Sequence, residues 1–177
     1  MSLTKFQSLL VAQVRNEFTA SQQYVALAVW FDAQDLPRLA AHFYRQAMEE
    51  RTHAMMIIQF LLDNDLPVEV PGVSDVRNNF SSVHEAVSVA LAQERAVTAE
   101  VTALAQTARA EGDYLGEQFV QWFLKEQVEE VAAMSTLLTV VDRAGDNLFH
   151  VEDFLARESV GDTGTDPTAP RAAGGRA

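Results

Sequence analysis

Apolar residues recur every three or four positions along four long stretches of the 177-residue chain, the spacing of one face of an amphipathic helix. Pro is absent from 1–36, 38–66 and 72–166, and these stretches are rich in Ala, Leu, Val, Glu and Gln. The pattern predicts an all-α protein. Long helices are expected over about 4–33, 37–64, 82–112 and 113–145, and a short fifth helix over about 148–157.

The connections between these helices indicate how they are arranged. Helices one and two, and helices three and four, are joined by only a few residues, so each pair forms an antiparallel hairpin. The stretch 65–81 is longer. Fully extended it reaches roughly 55 Å, more than the ~40 Å length of a helix, so it can return the chain to the other end of the bundle. We therefore expect a four-helix bundle with one long crossover and a short fifth helix over 1–158.

The last stretch of the chain, 159–177, differs in composition from the rest. It contains four Gly, two Pro and no aromatic residue. Such a composition cannot bury enough apolar surface to offset the conformational entropy of ordering, so it predicts a flexible C-terminal tail.

Composition and charge narrow the classes of function. Lys and Arg number 13 against 25 Asp and Glu, which gives a net charge of −12. Such a surface repels nucleic acid and attracts cations. The chain has no cysteine, which excludes thiolate metal sites and cysteine nucleophiles. We see no signal peptide and no apolar run of membrane-spanning length, so we expect a cytoplasmic protein that binds neither nucleic acid nor membranes.

Each of the four apolar stripes is interrupted near its middle by carboxylate, amide or imidazole side chains. The interruptions repeat, because in each hairpin a Glu is followed 33 and 36 residues later by two further polar residues. Residues at i and i+3 share a helix face, so each pair can face one centre. The six residues are Glu17, Glu50 and His53 in the first hairpin and Glu94, Gln127 and Glu130 in the second.

Four carboxylates buried together would repel one another and take up protons unless cations accompany them. Two divalent ions offset the four negative charges, and oxygen ligands with one imidazole suit iron or manganese. A single such Glu is more often a solvated residue, and His53 alone is more often a hydrogen-bonded core histidine. The repeated spacing favours a dinuclear metal centre over both alternatives.

With these residues, the chain resembles a prokaryotic haem-free ferritin over 5–158. The resemblance implies a ferritin-like bundle and a homo-oligomeric shell of 24 subunits. It also implies iron storage with ferroxidase activity, in which O₂ or H₂O₂ oxidises Fe(II) and a ferric oxyhydroxide mineral is stored in the shell. The motifs are Asn16-Glu17-Phe18, Glu49-Glu50-Arg51-Thr52-His53-Ala54, Gln93-Glu94 and Glu126-Gln127-Val128-Glu129-Glu130.

The same resemblance implies a role for each polar residue of the stripes. Glu17, Glu50 and His53 would hold the first iron, with Glu50 bridging to the second. The second hairpin supplies the other three residues, Glu94, Glu130 and Gln127. The two carboxylates would hold the second iron, and the amide would lie nearby to position oxygen or water.

Further roles come from the resemblance rather than from the spacing. A third iron position is matched by Glu49, Glu126 and Glu129, which composition alone indicates to be solvated charges. Tyr24 lies further along the stripe of the first helix. It would be a redox-active tyrosine hydrogen-bonded near the irons, and a packed core tyrosine is the alternative. Trp122 could donate electrons in the same way, but a packing role is favoured.

Two departures separate the chain from near relatives. Haem-containing bacterioferritins repeat Glu-x-x-His in helix four, where this chain has Gln127 and Glu130. They also ligate haem with a Met one residue before the helix-two His, where this chain has Thr52. We therefore expect iron but no haem. Small starvation-induced ferritin relatives lack a fifth helix, whereas this chain supplies one with Leu148, Val151, Phe154 and Leu155.

Two alternative functions remain open for the same bundle, a di-iron oxygenase or peroxidase acting on an organic substrate, and a cage subunit with an inactive centre.

The start of helix four is a candidate for iron uptake, because Asp113, Glu117 and Gln121 share one face there. The resemblance places this helix start around a three-fold axis, so Glu117 would form a ring of carboxylates. The alternative is that Asp113 is only a helix cap and Glu117 a favourable charge near a helix N-terminus.

Overall fold

The computed structural model describes residues 3–158 and 166–175. Five helices account for the regular structure of these residues, which contain no strand, and this confirms the predicted all-α fold. None of the described helices is long and apolar enough to cross a membrane. The helices are α1 (Lys5–Asp32), α2 (Pro37–Asp63), α3 (Val83–Glu111), α4 (Tyr114–Ala144) and α5 (Phe149–Arg157).

The helix ends follow local side-chain chemistry. Thr4 and Gln7 form a capping box at the start of α1, and the Asp113 side chain accepts a hydrogen bond from the Gly116 amide at the start of α4. Ser82 caps α3, and its spacing to Glu85 is that of a capping box, but only half of the box forms. Glu85 hydrogen-bonds Ser81 instead of reaching back to the Ser82 amide.

The four long helices pack as two hairpins, α1 with α2 and α3 with α4, and α1 also contacts α3. Residues 64–82 form the crossover without regular secondary structure. Gln23 of α1 ties this crossover to the bundle, because its amide donates to the Arg77 carbonyl and accepts from the Arg77 amide, both at 2.8 Å. The predicted four-helix bundle with one long crossover is confirmed.

The core consists of two apolar clusters. One contains Tyr24, Phe31, Phe43 and Leu137, and the other contains Leu10 and residues of the opposite halves of the same helices. The stripe positions between them are polar and buried. The bundle therefore has a polar layer at mid-height, closed above and below by aliphatic and aromatic packing.

The short helix α5 contacts α2 and α4. Val151 is fully buried against the first cluster. The Glu152 carboxylate accepts hydrogen bonds from the Arg38 and Leu39 amides at 2.8 and 3.0 Å. These amides lie in the first turn of α2, where no side chain of α2 itself caps the helix. The fifth helix thus closes one end of the bundle through packing and a carboxylate at a helix N-terminus.

Residues 166–175 depart from the expected flexible tail, of which 159–165 and 176–177 lie outside the described residues. Ala172 is buried in the second apolar cluster, and the Ala173 amide donates to the Met55 carbonyl at 3.0 Å. Asp166 accepts hydrogen bonds from Trp122 Nε1 at 3.0 Å and Lys125 Nζ at 2.9 Å. Small alanines and one acidic anchor hold this stretch against the bundle although its composition resembles that of a disordered segment.

Candidate metal centre

Glu17 of α1 meets Glu50 and His53 of α2 in the polar layer. One ligand atom from each side chain lies within 4.8 Å of the others. All three side chains are almost completely buried. His53 Nδ1 lies 3.2 Å from Glu50 Oε2, within hydrogen-bond distance. The i, i+3 spacing on α2 therefore brings the first three predicted ligands to one point, as the sequence predicted.

The second hairpin supplies the other half of the layer. Gln127 Nε2 donates to Glu94 Oε2 at 3.4 Å, and the Gln127 carbonyl oxygen accepts from Thr98 Oγ1 at 2.9 Å. Glu130 of α4 is also buried and accepts from Gln46 Nε2, at 3.3 Å for Oε2. Each carboxylate of this half thus has an amide donor.

Tyr24 links the two halves of the layer. Its side chain is fully buried between the carboxylates and the first apolar cluster, and its hydroxyl donates to Glu94 Oε1. Burial and the Glu94 carboxylate raise the pKa of Tyr24 well above its ordinary value, so the phenol stays protonated. The predicted contact between this tyrosine and the carboxylates is present. Its redox role remains a prediction.

Burial also acts on the carboxylates. It raises the pKa of Glu50, with further contributions from Glu94 and Glu17, and burial is the largest cause of the raised pKa of Glu94 and of Glu130. Two carboxylate oxygens in the layer, Glu17 Oε2 and Glu50 Oε1, are buried without a hydrogen-bond partner. A divalent cation would replace the protons and supply the missing partner at both oxygens.

A second group of three carboxylates lies beside the first. Glu49, Glu126 and Glu130 bring one oxygen each within 4.8 Å of one another. Glu126 is buried, contrary to the indication from composition that it is a solvated charge. Glu129 was expected in this group, but it is exposed and not part of it. Glu129 and Glu130 are neighbours in sequence, so their side chains point about 100° apart around α4. This difference in direction explains why Glu130 belongs to the group and Glu129 is exposed.

Three polar residues around the layer were not singled out as functional by the sequence. Gln13 hydrogen-bonds Glu17, Gln46 hydrogen-bonds Glu49 and Glu130, and Thr98 hydrogen-bonds Gln127. A signal was present in the sequence, because each glutamine stands four residues, about one helical turn, before a carboxylate of the layer, Gln13 before Glu17 and Gln46 before Glu50.

Trp122 packs edge-on against His53, with 5.6 Å between ring centroids, and its indole nitrogen donates to Asp166. These contacts agree with the favoured packing role. At the start of α4, Glu117 accepts from Arg109 Nε and Nη2 at 2.8 and 2.6 Å, while Gln121 is exposed. The carboxylate expected to line a pore is therefore paired with a cation of its own chain.

The sequence pattern of one family, described as the ferritin-like domain, matches residues 7–144. The chain therefore belongs to the ferritin-like family. It is 64% identical over 172 residues to ferritin BfrB of Mycolicibacterium smegmatis. The aligned residues cover 97% of this chain and 94% of that relative. A bacterial non-heme ferritin of Staphylococcus aureus is 36% identical over 135 residues, 76% of this chain and 81% of the relative.

A crystal structure of an open pore ferritin from Archaeoglobus fulgidus has the same fold. It matches with a TM-score of 0.84 over 89% of this chain and 98% of the other, at 24% sequence identity. Iron storage with ferroxidase activity follows for this chain from its family and from the ferritins among its relatives.

Proposed function

We propose that the polar layer is the ferroxidase centre, in which two Fe(II) ions bind as substrate and are oxidised. Glu17, Glu50 and His53 would bind one iron, with Glu50 shared between both. The second would bind to Glu94 and Glu130. The observation that carries the proposal is a pair of buried carboxylate oxygens without partners in a layer otherwise supplied with hydrogen bonds.

The protein side chains would supply charge and geometry. Each Fe(II) gives up one electron, so a pair supplies the two electrons that reduce O₂ to H₂O₂ or H₂O₂ to water. Four carboxylates offset four positive charges of two Fe(II) and favour the more highly charged Fe(III) product. Hard oxygen ligands with one imidazole suit this chemistry. Gln127 and Thr98 fix a polar surface beside the second iron, where oxygen or water would bind.

A third iron would bind beside this pair, at Glu49, Glu126 and Glu130. Glu130 would then belong to two positions, and an ion leaving the second position would find two further carboxylates within reach. The exposed Glu129 is not needed for this assignment, because Glu130 supplies the third oxygen of the group.

The subtype we propose is a haem-free ferritin that forms a cytoplasmic shell of 24 subunits. Thr52, at the position of the haem-ligating Met, has a hydroxyl that donates to the Met48 carbonyl and offers no sulfur ligand. The absorbance spectrum of the purified protein tests this point, since bound haem would give a Soret band. Analytical ultracentrifugation tests the shell. We also retain the division into a bundle over 1–158 and a separate C-terminal segment over 159–177.

The alternative of an organic substrate is not favoured. A cavity within the second apolar cluster, lined by Leu10, Gln13 and Phe123 among others, has a volume of only about 10 Å³. That cavity holds about one water molecule and would not take an organic substrate, and the family and the relatives that the chain matches are ferritins.

Substitution of the shared ligand tests the proposed centre. Glu50→Ala should abolish rapid Fe(II) oxidation, because both iron positions lose a ligand, while the bundle stays folded. His53→Ala should slow oxidation by about 10- to 100-fold through a weaker first position. Stopped-flow absorbance of the ferric product measures both, with Glu69→Ala on the exposed crossover as the control. Rapid oxidation in Glu50→Ala and His53→Ala alike would locate the reaction elsewhere.

A further inference from the structure

Gln13 is a buried amide whose hydrogen-bonding groups are all used. Its Nε2 donates to Glu17 Oε1 at 2.9 Å and to Glu100 Oε2 at 3.3 Å. Its Oε1 accepts from Asn16 Nδ2 at 3.2 Å. An amide has two N–H donors, so one serves each carboxylate. Ionised carboxylates accept hydrogen bonds only, and in that state they orient the amide with its nitrogen toward them.

This arrangement leaves the two oxygens of Glu17 unequal. Oε1 is held by Gln13, whereas Oε2 is buried without a partner. The side chain of Gln13 is only 2% exposed, so no bulk solvent competes for the hydrogen bond. A carboxylate fixed through one oxygen presents the other in a defined direction, which lowers the entropy lost when a metal ion binds.

Glu100 lies on α3, at the outer end of this chain of hydrogen bonds, and it is half-buried. Its Oε2 hydrogen-bonds the Gln13 amide, and its charge also interacts with that of Glu17. Asn16 restrains the amide from its oxygen side. The amide is therefore restrained from two sides, one of them a different helix of the bundle.

We propose that Gln13 is a positioning residue for the first iron, and that Glu100 acts through it by holding the amide in place. The proposal rests on the ferroxidase centre proposed above. Neither residue would contact iron. Their effect would be on the affinity and coordination geometry of the position formed by Glu17, Glu50 and His53, and not on the position formed by Glu94 and Glu130.

Anaerobic Co(II) titration of the full chain, followed by visible absorption, tests this inference, because the spectrum of bound Co(II) reports its coordination geometry. Gln13→Leu keeps the side-chain volume and removes both donors. We expect Co(II) binding at the first position to weaken by about 10- to 100-fold with an altered spectrum, and the second position to keep its affinity. Gln23→Leu is the matched control, since Gln23 is a buried glutamine of the same helix whose side chain hydrogen-bonds the backbone of Arg77 in the crossover.

Two variants of Glu100 distinguish the effect of its hydrogen bond to Gln13 from the effect of its negative charge. Neither variant changes a ligand of the buried layer. Glu100→Gln keeps an oxygen that accepts from Gln13 but loses the negative charge, whereas Glu100→Ala loses both. We expect Glu100→Ala to weaken Co(II) binding at the first position and Glu100→Gln to restore most of the affinity. Equal weakening in both variants would overturn the proposal, as would wild-type binding and spectrum in Gln13→Leu.

The outcomes also distinguish this inference from the proposed function. If the wild-type chain binds no tight pair of Co(II) ions and oxidises no Fe(II), the ferroxidase centre itself is wrong. If the wild type binds and oxidises normally and Gln13→Leu and Glu100→Ala bind Co(II) as the wild type does, only the positioning role is wrong.

Discussion

At the scale of single residues, the polar layer shows how a buried acidic cluster is kept ready for metal ions. Amide groups donate to Glu17, Glu94 and Glu130, so each of these carboxylates has part of its hydrogen-bonding capacity satisfied. Glu50, at the centre, has His53 within hydrogen-bond distance and Glu17 beside it, and its Oε1 is buried without a hydrogen-bond partner. The capacity left unsatisfied is thus concentrated where the first iron would bind.

The raised pKa values of Glu50, Glu94 and Glu130 predict a pH dependence of the metal-free protein. Above the ordinary value of 4.5 the unfolded chain releases these protons while the folded chain keeps them. The folded state then binds more protons, so its stability falls as pH rises toward the folded pKa values. Each group contributes at most about 1.4 kcal/mol per pH unit.

His42 opposes this trend, because burial lowers its pKa to about 4. Its contribution is full above the ordinary value of 6.5 and is lost as pH falls toward 4. The effect of the carboxylates is therefore measured by difference. Replacing Glu50, Glu94 and Glu130 by Gln should increase the stability of the metal-free chain relative to wild type as pH rises from 5 to 7.5. Parallel unfolding curves across this range would contradict the prediction.

At the scale of helices and connections, Pro and Gly made most boundaries predictable. Pro37 opens α2 as expected, and Gly112 ends α3 in a left-handed conformation that favours glycine. The layer was predictable too, because a charged residue in an apolar stripe is costly enough to imply a compensating partner. Contacts between distant segments were not, since no periodicity marks how Asp166 meets Trp122 or how Gln13 meets Glu100.

The contact between α5 and α2 carries a prediction at this scale. Glu152→Ala removes two hydrogen bonds to the uncapped first turn of α2 and a charge that favours the helix dipole. We expect a loss of about 1–2 kcal/mol in the stability of this end of the bundle. Denaturant unfolding combined with amide hydrogen exchange of α5 measures it. Asp153→Ala, on the neighbouring exposed position of α5, is the control, and an equal effect of both variants would refute the capping role.

At the scale of the whole molecule, charge connects the centre to the surface. The net charge of −12 attracts cations from solution, and the proposed centre would bind them in a buried layer shielded from water. Two features modify this picture. Arg109 forms an ion pair with Glu117 near the start of α4, and Lys125 forms one with Asp166 beside Trp122. The acidic surface is thus locally balanced at these two places, as it is at the Arg77–Glu85 pair, and one of the two is the expected uptake pore.

If the proposed shell places the start of α4 around a three-fold axis, three Glu117 carboxylates face three Arg109 guanidinium groups and their charges cancel. Arg109→Ala would then leave a ring of three unpaired carboxylates, whereas Glu117→Ala would leave three unpaired cations. We expect Fe(II) uptake to become faster in the first variant and slower in the second. Both differences should shrink as salt increases, because charges at a solvated pore are screened over about 8–10 Å.

Stopped-flow oxidation at low and at physiological ionic strength measures the rate of Fe(II) uptake in the two variants. The control is Arg95→Ala, since Arg95 is an exposed arginine of α3, the helix that carries Arg109. Opposite signs are the essential result, because loss of the Arg109–Glu117 ion pair is common to both variants and changes stability in the same direction. Only the charge remaining at the axis differs between them. Equal rates in both variants would mean that iron enters through another pore, and the Arg109–Glu117 pair would then only join the end of α3 to the start of α4.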